Sequence, residues 1–141
     1  MSDRPTIAEL LDAVRTHLEN QVTPAIRDDR KLYYQTLVAA NVLQIIEREM
    51  QTGVEQIREE WMRLNYVQGV DTLLPSDSTQ AKDALAERNR KLCEEINVGR
   101  YDFMPQRAAL FEHLLVTTRQ QLEVNNPKFL EMLAEEDRKS S

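Results

Sequence analysis

A chain of 141 residues fits one domain and is long enough to bury roughly 68–70% of its unfolded surface. Hydrophobic residues make up 41% and charged residues 30%, which excludes wholesale disorder. The net charge of −6 comes with no gathered basic face: Arg27–Lys31 and Arg88–Lys91 are short and mixed, so phosphate neutralisation by this chain is not expected.

Only three glycines are present, which favours helices over sheets. A lone cysteine, Cys93, suits a reducing compartment. The start MSDRPT lacks the apolar core of a leader, and no run approaches the roughly 18 apolar residues of a membrane span. A cytoplasmic, soluble protein is the expectation.

In chain order, Thr6-Ile-Ala-Glu9 reads as a capping box that starts a first helix. Its Ile7, Leu10, Leu11, Val14 and Leu18 follow the spacing of one buried stripe. Pro24 interrupts it, and the charged residues near Asp28 form a connection. A second helix is predicted from about Lys31 to Gln51, ended by a left-handed Gly53. A third runs from Val54 to about Tyr66, with Val54, Ile57, Trp61 and Leu64 on one face. Residues 69–79, rich in Gly, Pro, Asp and Ser, form the long loop. A fourth helix spans about Gln80 to Val98, closed by Gly99. Pro105 opens a fifth that carries Phe111, Leu114, Leu115, Thr118 and Leu122 on one side and stops at Asn125-Asn126-Pro127. A short terminal helix then frays over 135–141. The prediction is an all-α, single-domain bundle over residues 1–141, with five amphipathic helices and a short C-terminal one.

Chemistry is sparse in this pattern. His17 and His113 have no His or Cys at i+3 or i+4, so no metal is expected and both read as flank or surface residues. Glu112-His113 has the wrong spacing for a di-iron bundle, and Glu47, Glu49, Glu94 and Glu95 read as solvated helix surface. Cys93 reads as buried filler, without a visible base. No Gly-rich phosphate loop is present, so neither a cofactor nor catalysis is expected on this chain. Asn89 lies inside an apolar arc and requires a hydrogen-bond partner. That partner is a backbone carbonyl or loop, or else Asn41, which sits at the border of the apolar arc of its own helix.

Four segments resemble a family of small bacterial helical proteins of unknown function: Asp3–Val14, Leu37–Met50 (LVAANVLQIIEREM), Leu92–Asp102 (LCEEINVGRYD) and His113–Phe129. Members of that family are commonly encoded beside aminoglycoside-phosphotransferase-like kinases and acyl-CoA dehydrogenases. The best-understood are small partners of a hydroxyacyl-CoA kinase in levulinate catabolism. The resemblance implies an accessory subunit, with ATP, magnesium and the catalytic aspartate supplied by the larger chain. It makes Asn41, Arg48, Arg100, Asp102, Asn125 and Asn126 partner-contact candidates, although the last four also suit helix-ending chemistry. The alternatives are a homodimer seamed by Met62, Tyr66 and Val116, and a small acyl-ligand-binding protein.

Overall fold

The computed structural model describes residues 4–141; Met1–Asp3, which carry part of the leader reading and the first residue of the resemblance, lie outside the described residues. The elements are α1 (Ile7–His17), a π-helical turn (Leu18–Val22), the short α2 (Thr23–Ala25), α3 (Arg30–Gln68), α4 (Ser78–Asn97), α5 (Gln106–Asn125) and α6 (Pro127–Ser140). The protein is all-α. Among the described residues no helix is long and apolar enough to cross a membrane. Contacts gather into two compact units, Met1–Gly53 and Val54–Ser141, and α3 passes from the first into the second.

In the first unit, the Thr6 hydroxyl accepts from the Glu9 amide at 3.1 Å and starts α1 as the capping box requires. Pro24 has no N–H to donate, and the helix widens ahead of it. The Thr23 amide and its hydroxyl both reach the Leu18 carbonyl, the hydroxyl at 2.8 Å. Asp29 then caps α3 by accepting from the Leu32 amide at 3.1 Å.

Arg15 ties α1 to α3 through Glu47 at 2.8 Å and also holds Asp12 and Glu19. The hydrogen bonds it donates to Glu19 and Glu47 raise its pKa, so it is a permanent cation here. The stripe expected to be buried on α1 is only partly covered: Leu11 and Leu18 are half-buried, whereas Ile7, Leu10 and Val14 are each more than half exposed. Two helices alone leave each other's far sides uncovered.

The break expected at Gly53 is absent. Only Gly69 and Gly99 have positive φ, and Gly53 lies inside α3. A helical glycine costs only about 1 kcal/mol relative to alanine, and strong helix formers flank it. A Cβ there would meet the Glu49 side chain at 3.5 Å, an ordinary contact. Gly53→Ala should therefore stabilise the protein by about 0.5–1 kcal/mol in urea titrations. A loss instead would show that the helix needs a kink at this point.

The second unit has the core. Trp61, Leu64, Leu85, Leu92, Tyr101 and Leu110 pack together, with Leu64 fully buried. Trp61 and Leu64 lie on the predicted face of α3, but Val54 of that set is exposed. The loop between α3 and α4 falls within the expected 69–79, and it is pinned. Trp61 Nε1 and Asn65 Nδ2 both donate to the Thr72 carbonyl, at 2.8 and 3.0 Å, and the Thr72 hydroxyl donates back to Asn65 at 2.8 Å. Asp77 caps α4 by accepting from the Gln80 amide at 2.9 Å.

On α5 the packed side is not the predicted one. Leu110, His113 and Val124 are buried, whereas Phe111, Leu114 and Leu115 are exposed. The inward side works through polar contacts that hydropathy does not register: Arg63 donates to Thr117 and Gln120, both at 3.0 Å. Asn126 ends α5 and caps α6, accepting from the Phe129 amide at 3.4 Å. Instead of fraying over 135–141, α6 continues to Ser140, with Arg138 and Lys139 complementing the dipole of its last turn.

Candidate functional site

The turn between α4 and α5 is built by Gly99. At φ +87° it places the Arg100 amide on the Glu95 carbonyl, 3.1 Å away, and its own amide on the Ile96 carbonyl at 3.1 Å. That is a Schellman closure. A Cβ at Gly99 would lie 2.8 Å from Asp102 Oδ2, so both the backbone angle and the close approach select glycine.

Glu95 organises the underside of this turn. It accepts from Gln68 at 3.0 Å, Arg100 at 2.5 Å and the Tyr101 hydroxyl at 3.2 Å. Burial first, and then the Glu95 charge, raise the Tyr101 pKa, so the phenol stays protonated and donates. The turn is thereby held by its own side chains.

Above this base the residues are apolar and uncovered. Phe103 is 80% exposed and Phe111 67%, with Met104 beside them. Met104 and Phe111 edge an open-sided groove of about 410 Å³ floored by Tyr101 and Leu110. Asp102 and Arg107 supply its polar lining. Exposed aromatic and Met side chains around a polar pair have the make-up of a protein-contact patch.

Within the second unit the resemblance-based candidates fall at two places, the α4–α5 turn and the α5–α6 junction. Arg100 and Asp102 share this turn, where Arg100 is engaged by Glu95 and Asp102 lines the groove. Asn125 and Asn126 adjoin at the α5–α6 junction, and Asn126 acts as a cap. Asn41 (exposed) and Arg48 (half-buried) lie on α3 in the first unit. Among the seam candidates, Met62 and Tyr66 are exposed and Val116 is half-buried.

Asn89 is half-buried rather than buried, and its amide donates to Glu60 at 3.0 Å. Its partner is thus neither Asn41 nor a backbone group, because Glu60 stands on the adjoining face of α3. Cys93 is exposed, not core filler. His17 is exposed, as read from sequence, but His113 is only 3% exposed.

His113 belongs to a polar interior that sequence reasoning missed. Its Nδ1 is buried without a partner, and burial, with Arg63 and Arg88 nearby, pushes its pKa down to about 4. Arg88 lies 4.4 Å over the Trp61 ring and donates to Asn65 at 2.9 Å and Gln68 at 2.7 Å. The available signal was Trp61, Asn65 and Gln68 at helical spacing beside Leu64. Among the described residues, no three His, Cys, Asp or Glu side chains gather to hold a metal ion.

No curated protein and no solved structure matches the chain. A family model does match it, over residues 24–129, taking in α3, α4, α5 and the groove. The chain belongs to the family described as a domain of unknown function, DUF6285.

Proposed function

We propose that this chain is a non-catalytic accessory subunit of an aminoglycoside-phosphotransferase-like kinase that acts in the breakdown of hydroxyacyl-CoA or related acids in the cytoplasm. The observation that supports this best is the rim of exposed Met104 and Phe111 around Asp102 and Arg107, with exposed Phe103 next to Met104 in the same turn. Exposed aromatics of this kind lose water only when another surface covers them, and large aromatics are frequent anchors of protein contacts. The same turn includes Arg100 and Asp102, two of the positions that carry the resemblance.

In this reading the larger chain binds ATP and magnesium and performs phosphoryl transfer, while this chain supplies a docking surface. Glu95 and Gly99 keep that surface rigid before binding, which lowers the ordering cost of association. Arg107 and Asp102 restrict the orientation of the partner.

The test is to assay the kinase encoded beside this chain, alone and with this chain added. Activity should depend on this chain and saturate at one stoichiometry. A kinase that is fully active alone and never binds this chain would exclude the reading.

A further inference from the structure

We propose that the outward stripe of α3 in the first unit is the seam of an antiparallel homodimer, in which Lys31 of each chain meets Glu49 of the second copy. The side of α3 turned toward α1 is marked by buried Thr36 and Ala40 and by Glu47, the partner of Arg15. At 100° per residue, Val38, Val42 and Ile46 fall on the far side, and they are 44%, 47% and 38% exposed. Tyr34, 68% exposed, extends that line toward the helix start.

The charges at its ends specify what covers it. Lys31 and Glu49 are eighteen residues apart, five full turns, so they lie on one line along the helix. Both are exposed, and neither joins a salt bridge among the described residues. A second α3 laid parallel would set Lys31 against Lys31 and Glu49 against Glu49. Laid antiparallel, with a two-fold axis level with Ala40, it sets Lys31 against Glu49 twice. The same register places Tyr34 against Ile46 and Val38 against Val42. The stripe is therefore complementary to itself in one direction only, as an isologous interface requires.

The unit also needs such a cover. Among its described residues only Thr23, Thr36 and Ala40 are buried, and the outward stripe of α3 is left uncovered. A hairpin of this size lacks a core of its own, and pairing two copies through this stripe covers the outward side of α3. This inference does not depend on the kinase reading. It concerns other residues and is tested on this chain alone.

Sedimentation equilibrium of the full chain across micromolar concentrations should give twice the 16.4 kDa chain mass. Val42→Glu, Lys31→Glu and Glu49→Lys should each weaken the dimer by roughly tenfold or more, since each buries or opposes charge at the seam. The double variant Lys31→Glu/Glu49→Lys should recover it, with circular dichroism confirming helix content throughout. A monomer at every concentration overturns the proposal. So does a dimer indifferent to these substitutions, which would be seamed elsewhere, or a double variant that does not recover.

Discussion

Trp61→Ala is expected to lower the free energy of unfolding by about 3–5 kcal/mol, a large part of what a domain of this size has. Trp61 is 4% exposed and packs with Leu64, Leu85 and Leu92. Three contributions end together when it is removed: the buried ring, the hydrogen bond to the Thr72 carbonyl, and the face on which Arg88 lies. Trp61→Phe separates them. It keeps most of the apolar volume, and the Thr72 carbonyl still accepts from Asn65, so the loss should be only about 1–2 kcal/mol. Urea titration followed by circular dichroism measures both. Equal losses in the two variants would place the weight on the hydrogen bond instead of on packing.

Stability should rise with pH between about 4 and about 6.5, and His113 should account for a defined part of the rise. Its pKa is about 4 when folded, against an ordinary 6.5. Within that window the unfolded chain therefore binds the extra proton and the folded chain does not, and stability increases with pH. The contribution is complete above the unfolded pKa and is lost as pH falls toward the folded one. A gap of this size corresponds to about 3 kcal/mol as an upper bound. The causes are burial first, then the positive charges of Arg63 and Arg88. Unfolding free energies measured from pH 4 to 7.5 for the native protein and His113→Leu should converge at the acid end, or reverse, relative to their difference at neutral pH. A constant difference between them would mean that His113 does not titrate across folding.

The helix ends were legible because local chemistry sets them. Thr6 with Glu9, Gly99, and Asn126 with Pro127 each satisfy orphaned backbone groups within a few residues. Gly53 misled because glycine permits a stop without compelling one, and nothing after it competes with the helix. The face of α5 misled for another reason. The most apolar stripe is the natural guess for the core, yet here Phe111 and Leu114 look outward while His113 and Thr117 look inward toward Arg63. A stripe left for another surface has the same periodicity as one bound for the core. The place of Asn89 in an apolar arc calls for a partner, but which residue answers it depends on how α4 packs on α3. Three of the four resembling segments fall inside the family match, and Asp3–Val14 falls outside it.

The proposed role of this chain requires that a larger chain docks on the α4–α5 groove. The measurement is the affinity of this chain for the proposed kinase partner, by titration calorimetry, for the native protein and for Phe103→Ser, Phe111→Ser and Arg107→Glu. These side chains are exposed, so the variants should fold as the native protein does. Each phenylalanine change should weaken binding by tenfold or more, corresponding to about 1.4 kcal/mol. Native affinity in all three variants, or no binding by the native chain, would contradict the account.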